Sequence, residues 1–173
     1  MADRMVPMKI AVLSDSHDNI WKLAAAMPRL AGADAVIHCG DLCSPFMITR
    51  LGDGVGGKPV HIVWGNNDGD THLINRNAAA YPNIRLHGEV ARFEFGGLRI
   101  AVNHYPELAR GLATSGEFDL VCYGHDHIAH QEWIGPCLLL NPGELMGMKG
   151  NSRMVIVETG SRIVEEIDLG PAG

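Results

Sequence analysis

Four short apolar runs, each of β-strand length, end abruptly in aspartate, asparagine or histidine. In open α/β sheets the functional groups gather in the loops at the carboxyl ends of strands. The pattern therefore predicts an α/β protein whose site is built from several such loops, with Asn103-His104 as a further contribution. The runs and the polar segments that follow them are residues 8–13 with Asp15-Ser16-His17, residues 35–39 with Gly40-Asp41, residues 60–64 with Gly65-Asn66-Asn67-Asp68, and residues 120–123 with Gly124-His125-Asp126-His127.

The segments between the first three runs predict helices. Residues 20–30 carry apolar side chains at helical spacing, and either Asn19 or Asp18 can cap them. Ser44-Pro45 predicts the N-cap and first residue of a short helix that ends near Leu51, before a glycine-rich loop. Strands and helices that alternate with short loops imply right-handed crossovers and a parallel sheet.

The second half of the chain changes to paired strands. Residues 89–95 and 98–102 flank Gly96-Gly97, which is a hairpin signal. Two packed sheets flanked by helices are the expected layering, and a chain of 173 residues fits one domain over residues 1–173. The other predicted segments are helices at residues 71–80 and 106–113, and strands at residues 129–134, 137–140, 154–158 and 163–167.

Composition narrows the class of protein. With 46% hydrophobic and 20% charged residues the chain has the composition of a globular protein. A net charge of -6 argues against a large nucleic-acid groove, and no apolar stretch approaches the length of a membrane helix. Residues 1–7 are too short and polar for a signal peptide, so we expect a cytoplasmic protein. The four cysteines lack the spacing of a disulfide framework and are expected to be buried thiols.

The polar segments have the chemistry of a metal site. Aspartate, asparagine and histidine combine carboxylate and amide oxygens with imidazole nitrogens, which suits borderline-hard divalent ions. Two pairs, Asp15 with His17 and His125 with His127, are spaced so that both members can turn toward one ion. Asp41 could bridge two ions, which would lower the pKa of a water and clamp phosphate oxygens. The expected reaction is hydrolysis of a phosphate ester.

Each segment also has a simpler interpretation when it is taken alone. Asp15 can be a helix cap, Gly40-Asp41 is a common turn dipeptide, and residues 65–70 can form an ordinary turn. Gly124-His125-Asp126-His127 is harder to explain in this way, because two histidines at a strand end contribute little to packing. The combination of all four segments, each directly after an apolar run, favours the metal site.

In this order the segments resemble the motifs of the calcineurin-like metallophosphoesterases, and most of all the small YfcE-type phosphodiesterases. The resemblance extends from Met8 to about Glu158 and includes Asn141-Pro142-Gly143. It implies a four-layer αββα sandwich of two mixed sheets. It also implies two divalent metal ions, with manganese favoured and iron, nickel or zinc as alternatives.

The resemblance assigns a role to each residue of the motifs. Asp41 bridges the two ions, Asp68 orients its neighbours through hydrogen bonds, and a metal-bound hydroxide attacks phosphorus in line with the leaving oxygen. We expect Asp41, Asn67 and Asp68 to take part in the reaction. The metal ligands implied are Asp15, His17 and His127 for the first ion, Asp41 for both, and Asn66, His104 and His125 for the second.

The sequence departs from the family pattern at three positions. Asn67 stands where many members carry a histidine that protonates the leaving group, and an amide cannot replace it in that role. Glu144 stands where serine commonly follows Asn-Pro-Gly, and its carboxylate would repel a phosphate unless it turns away or binds another group. Tyr105 follows His104 in place of the glycine common in relatives, and can either line the pocket or pack at a helix start.

The resulting hypothesis is a metal-dependent phosphoesterase that hydrolyses small phosphodiesters, with nucleotide-like diesters among the candidate substrates. The alternative is a scaffold of the Vps29-like type, which has the same fold but works by docking protein partners. A scaffold can lose its metal ligands without penalty, whereas this chain retains every expected one. A homodimer formed through an antiparallel sheet edge or the region of Trp133 is a further expectation.

Overall fold

The computed structural model describes residues 6–172, which form eleven strands and four helices. The expectation of a cytoplasmic protein rests partly on residues 1–5, which lie outside the described residues. The strands are β1 (Lys9–Leu13), β2 (Ala35–His38), β3 (Val60–Ile62), β4 (Ile84–Leu86), β5 (Val90–Phe95), β6 (Leu98–Asn103), β7 (Leu120–Cys122), β8 (His130–Ile134), β9 (Cys137–Asn141), β10 (Asn151–Glu158) and β11 (Val164–Pro171). The helices are α1 (Ile20–Gly32), α2 (Phe46–Gly54), α3 (Thr71–Ala78) and α4 (Pro106–Thr114).

The strands form two mixed sheets. The first has the order β11-β10-β1-β2-β3-β4, in which β1 to β4 are parallel and β10 pairs antiparallel with β1. The second has the order β5-β6-β7-β9-β8, in which β6, β7 and β9 are parallel and both edge strands are antiparallel. The parallel pairing of β6 with β7 requires a crossover, which α4 supplies.

The strand residues alternate between two apolar layers, as expected for sheets covered on both faces. In β1, Ala11 and Leu13 pack under α1, α2 and α3, whereas Ile10 and Val12 face the second sheet. Ala101 and its neighbours on the outer face of the second sheet pack against α4. The layers are therefore helices, sheet, sheet and helix, and the predicted αββα sandwich is confirmed. Within residues 6–172, every helix is too short or too polar to cross a bilayer.

Helix α2 differs from the prediction at both ends. It begins at Phe46 instead of Pro45, because the Ser44 hydroxyl does not cap it but donates to Asp18 Oδ2 at 2.6 Å. It also continues beyond Leu51 through Gly54, where a flexible loop was predicted. The glycines are tolerated inside the helix because neighbouring side chains pack where a Cβ would lie, with Tyr81 against Gly52.

Strand β4 was not predicted from the sequence. It has only three residues, Ile84–Leu86, and follows the break at Tyr81-Pro82-Asn83, so it is too short to show a strand period. It extends the parallel order of the first sheet beyond β3. The carboxyl ends of β1, β2 and β3 therefore lie side by side in the interior of that sheet, where the candidate site is built.

Candidate metal centre

Five of the predicted metal ligands lie in left-handed turns directly after strands. Their φ angles range from 39° to 76°, a region that residues other than glycine rarely adopt and that costs energy unless the surroundings hold it. Backbone hydrogen bonds hold two of the turns together, since Asp15 N–H donates to the carbonyl of Gly40 at 3.1 Å and His17 N–H to that of Asp41 at 3.0 Å. The five residues are Asp15, His17, Asp41, His125 and His127.

Two glycines allow these loops to approach one another. A Cβ on Gly65 would lie 2.1 Å from Asp41 Oδ1, and a Cβ on Gly124 would lie 1.9 Å from Ser14 Oγ. Any side chain at either position would push the loops apart. The glycines that precede Asn66 and His125 are therefore needed for the site to close.

The first group of ligand atoms consists of Asp15, His17 and His127. Asp15 Oδ1 lies 3.3 Å from His127 Nε2 and 3.9 Å from His17 Nε2, and the three side chains can share one ion. Asp15 is fully buried, and burial raises the pKa of its carboxyl, although the nearby imidazoles of His104 and His127 and the hydrogen bond from His125 N–H oppose the shift. Asp15 Oδ1 and His17 Nε2 are buried and have no hydrogen-bond partner within residues 6–172.

The second group is centred on His104. Its Nδ1 donates to the carbonyl of Cys39 at 2.8 Å, so Nε2 faces Asp41 Oδ2 at 3.4 Å and Asn66 Oδ1 at 3.2 Å. His125 joins the same group, because its Nδ1 lies 2.8 Å from Asn66 Oδ1. Burial alone would lower the pKa of His104, but the contacts with Asp41 and Cys39 outweigh it and raise that pKa. A positive charge is therefore favoured at this position.

Asp41 lies between the two groups. Its Oδ2 is 3.5 Å from His17 Nε2 and 3.4 Å from His104 Nε2, which is the position expected of a bridging carboxylate. Burial would raise the pKa of the Asp41 carboxyl, but hydrogen bonds from His104 and Asn67 hold the pKa well below its usual range. The carboxylate is therefore ionised at neutral pH.

Asn67 holds Asp41 in place in this structure. Its backbone N–H donates to Asp41 Oδ1 at 2.8 Å, and its side-chain Nδ2 donates to Asp41 Oδ2 at 2.8 Å. The side chain therefore points at the bridging carboxylate. Its participation in the reaction as a proton donor is excluded by its chemistry, as the sequence indicates.

Asp68 fastens the loop after β2 to the loop after β3. Its Oδ2 accepts the backbone N–H groups of Gly65 at 2.7 Å and Asp41 at 3.1 Å, and its Oδ1 accepts that of Cys43 at 2.8 Å. The orienting hydrogen bonds expected of Asp68 are present. The carboxylate sits behind Asp41 and fixes the backbone that carries it.

Three side chains contact the predicted ligands in ways that the sequence did not indicate. Glu144 Oε2 accepts a hydrogen bond from His127 Nδ1 at 2.6 Å, so its carboxylate binds another group, one of the alternatives stated for it. Cys43 Sγ lies 3.4 Å from His17 Nδ1, and burial together with nearby carboxylates raises the pKa of its thiol to about 12. Tyr105 packs edge-on against His104 and His125, so its ring borders the second group.

His38, which is not one of the predicted ligands, has structural partners. His38 is buried, and its Nδ1 accepts the N–H of Gly40 while its Nε2 lies 2.9 Å from Ser16 Oγ. Burial lowers the pKa of His38 to about 3, so the ring stays neutral. His38 therefore has a hydrogen-bonded role in the core. Cys39, Cys122 and Cys137 are buried free thiols as expected, and Cys43 is half-buried.

The residues present fit a site for divalent metal ions. The orphaned Asp15 Oδ1 and His17 Nε2 face each other in the first group, and in the second group Asp41 Oδ2, Asn66 Oδ1 and His104 Nε2 converge. Within the described residues Asp15 Oδ1 is a buried acceptor without a donor, and a cation would give it a partner. In the second group an ion would take the place of the proton through which His104 contacts Asp41 and Asn66. Carboxylate, amide and imidazole donors are those of a borderline-hard divalent ion.

The chain belongs to the calcineurin-like phosphoesterase superfamily, whose domain matches residues 8–162. The family resemblance given by the motifs is thus confirmed. The matched residues form a metallophosphoesterase domain of this superfamily, and this domain contains the candidate metal ligands. The assignment to a family of phosphoric ester hydrolases, and with it the prediction of an enzyme, is also confirmed.

Individual proteins within this family are similar over almost the whole chain. A phosphodiesterase of Methanocaldococcus jannaschii is 28% identical over 167 residues, which cover 94% of this chain and 99% of that protein. A solved structure of an archaeal phosphodiesterase superimposes with a TM-score of 0.86 at 27% identity, over 93% of this chain and 99% of the other.

Structures of Vps29 have the same fold at lower identity. A mutant of Vps29 from Entamoeba histolytica superimposes with a TM-score of 0.64 at 18% identity, over 93% of this chain and 99% of the other. This similarity concerns the fold alone. The alternative of a docking scaffold has therefore to be judged from the side chains at the site.

Proposed function

We propose that this protein is a phosphodiesterase that hydrolyses small phosphodiesters with two divalent metal ions. The observation that carries the proposal is the position of Asp41 between two groups of ligand atoms, with Oδ2 at 3.5 Å from His17 Nε2 and 3.4 Å from His104 Nε2. One carboxylate within reach of both groups is the arrangement that a dinuclear site requires.

Each ion has its own ligand set in this proposal. Asp15, His17 and His127 hold the first, Asn66, His104 and His125 hold the second, and Asp41 is shared. Bound there, the ions would supply a nucleophile at neutral pH and neutralise charge on the phosphate oxygens. The mixture of carboxylate, amide and imidazole ligands suits manganese, iron, nickel or zinc, and manganese is favoured among them because the resemblance to the family implies it.

The side chains of the protein orient the substrate and limit the leaving group. Asn67 cannot protonate a departing alkoxide, so this site favours diesters whose leaving group is stable as an anion or is protonated by water. The Tyr105 ring beside His104 and His125 gives the second ligand group an apolar wall against which an organic ester group can pack. The similar proteins named phosphodiesterases support the choice of a diester.

The docking scaffold is the competing function, and the burial of the ligands argues against it. Asp15, Asp41 and His104 are each at most 1% exposed, and two ligand atoms lack hydrogen-bond partners. Buried polar groups in this state destabilise a fold that does not use them. A cytoplasmic location and a homodimer accompany the proposal as untested expectations.

The test is hydrolysis of bis-p-nitrophenyl phosphate by metal-stripped protein titrated with Mn²⁺, compared with the monoester p-nitrophenyl phosphate. We expect diester turnover that saturates with metal and is lost by about 100-fold or more in Asp41→Asn, since a catalytic ligand is removed. The matched control is Asp53→Asn, because Asp53 is a carboxylate that accepts only the Tyr81 hydroxyl on the surface. If the protein binds two ions but hydrolyses neither ester, the enzyme hypothesis is wrong and the scaffold hypothesis replaces it.

A further inference from the structure

Glu144 is a buried carboxylate beside the candidate metal centre that is not one of the proposed ligands. Glu144 is only 3% exposed. Oε2 accepts from His127 Nδ1 at 2.6 Å, and Oε1 accepts the backbone N–H of Lys149. Both oxygens are therefore occupied by donors of the protein, and the carboxylate is not directed at a substrate.

The hydrogen bond with Glu144 determines which nitrogen of His127 carries the proton. A carboxylate can only accept, so Nδ1 of His127 is the protonated nitrogen in the neutral ring. The lone pair is then on Nε2, which lies 3.3 Å from Asp15 Oδ1. Asp15 Oδ1, like His17 Nε2, has no hydrogen-bond partner among the described residues. His127 thus presents a lone pair to the position where an ion would lie.

The backbone around Glu144 is attached to the loop that carries Asp15. Leu145 N–H donates to the carbonyl of Ser14 at 2.9 Å, and Met146 N–H donates to that of Asp15 at 3.0 Å. On the other side, the carbonyl of Glu144 accepts Arg153 N–H at 2.9 Å, at the start of the two-stranded pairing of β10 with β11. Glu144 is therefore held by the same segment that positions a ligand of the first ion.

We propose that Glu144 is a positioning residue for the first metal ion, which it serves by fixing the tautomer and ring orientation of His127. The proposal rests on the metal site of the proposed function. A carboxylate behind a metal-bound histidine increases the basicity of the ring and orients it, and its loss typically lowers metal affinity 10- to 100-fold. The second ion, whose ligands do not contact Glu144, keeps its affinity.

The test measures metal affinity and does not depend on turnover. Metal-free wild-type protein and Glu144→Gln are titrated calorimetrically with Mn²⁺. Glutamine has the shape of glutamate, but its side chain has one acceptor, Oε1, and one donor, Nε2. It therefore cannot accept from His127 Nδ1 and from Lys149 N–H with two separate oxygens, as Glu144 does. We expect one of the two binding events to weaken 10- to 100-fold and the other to stay unchanged.

Glu132→Gln is the matched control. Glu132 is also a glutamate next to a histidine, with Oε2 at 3.3 Å from His130 Nε2, but it lies on the edge strand β8 and its carboxylate accepts from Arg110 of α4 and not from a proposed ligand. Both binding events should keep their wild-type affinity in this variant. If Glu144→Gln folds and also binds both ions as tightly as the wild type, Glu144 has no positioning role.

A second measurement on wild-type protein covers the case in which Glu144→Gln does not fold. Long-range ¹H–¹⁵N spectra of the metal-free protein at pH 8 distinguish the two tautomers of a neutral histidine, and His127→Gln assigns the signal. Protonation at Nδ1 supports the proposal, whereas protonation at Nε2 overturns it. Failure of this proposal can be distinguished from failure of the proposed function. If the wild type binds metal normally but does not hydrolyse diesters, the phosphodiesterase activity is refuted and the role of Glu144 is unaffected.

Discussion

Replacement of Asp68 by alanine should damage both the stability of the fold and the metal site. The carboxylate accepts three backbone N–H groups, from Gly65 at 2.7 Å, Cys43 at 2.8 Å and Asp41 at 3.1 Å. These bonds join the loop after β2 to the loop after β3. In Asp68→Ala all three donors lose their acceptor, and the backbone of Asp41 loses the contact that sets its position.

The expected loss in the free energy of unfolding follows from the number of these hydrogen bonds and from their exposure to water. A hydrogen bond to a charged group contributes about 1.5–3 kcal/mol. Asp68 is half-buried, so water can reach part of the site and we expect roughly half of the combined contribution, about 2–4 kcal/mol, to be lost. For a chain of this size such a loss lowers the melting temperature by on the order of 10 °C. Metal affinity should fall at least about tenfold because Asp41 is no longer held.

The assay is urea unfolding in EDTA together with a Mn²⁺ titration of the folded variant. Asp70→Ala is the control, since Asp70 is an exposed aspartate two positions further on that caps α3 through one bond, to Leu73 N–H at 3.0 Å. Loss of this cap should cost about 1 kcal/mol and leave metal affinity unchanged. If Asp68→Ala is no less stable than Asp70→Ala and binds Mn²⁺ normally, the assigned role of Asp68 is wrong.

Three further measurements test other parts of the structure. Asn67→His introduces a proton donor, so hydrolysis of diesters with alkyl leaving groups should speed up by about tenfold or more while p-nitrophenyl release changes little; equal effects on both would contradict this reasoning. Burial and the neighbouring His87 lower the pKa of His61 to about 4 from 6.5. As the pH falls, His61 is therefore protonated in the unfolded chain before it is protonated in the folded one, and the free energy of unfolding decreases between pH 6.5 and 4. His61→Phe keeps the stack on Phe93 and should show a shallower pH dependence, by about 1.4 kcal/mol per pH unit in urea unfolding, whereas parallel profiles would refute the assignment. Saturating Mn²⁺ at about 100 times its dissociation constant should stabilise the fold by about 2.7 kcal/mol over EDTA-treated protein, and identical melting curves would speak against metal binding.

The elements that could be predicted from the sequence are those with a strong local signal. Four apolar runs ending in Asp, Asn or His predicted four strands, β1, β2, β3 and β7, and the loops after them. The first sheet brings the loops after β1, β2 and β3 together, because neighbouring parallel strands end at the same edge. The loop after β7 reaches them because the second sheet packs against the first. Gly96-Gly97 predicted the hairpin of β5 and β6 for a similar reason, since its turn needs positive φ at both residues.

Contacts between segments distant in sequence could not be predicted. The bond from His127 to Glu144 spans 17 residues, and nothing in the run Asn141-Pro142-Gly143-Glu144 indicates which group the carboxylate meets. Helix α2 extends through Gly52 and Gly54 because Tyr81 and Met27 pack where their side chains would be. In each case tertiary packing overrides a local preference.

The cost of the buried ligands gives the strongest physical reason to favour ion binding over docking. Asp15, Asp41 and His104 are almost completely buried, and Asp15 Oδ1 and His17 Nε2 lack hydrogen-bond partners in the part of the chain that the structure describes. Each unsatisfied buried polar group costs about 1–3 kcal/mol, and buried ionic groups can often be replaced by well-packed apolar side chains with a gain in stability. A protein that used this fold only to dock a partner would be more stable with apolar residues at these positions. A cation in the first group would give both unsatisfied atoms a partner, so the metal-free protein should be the less stable form.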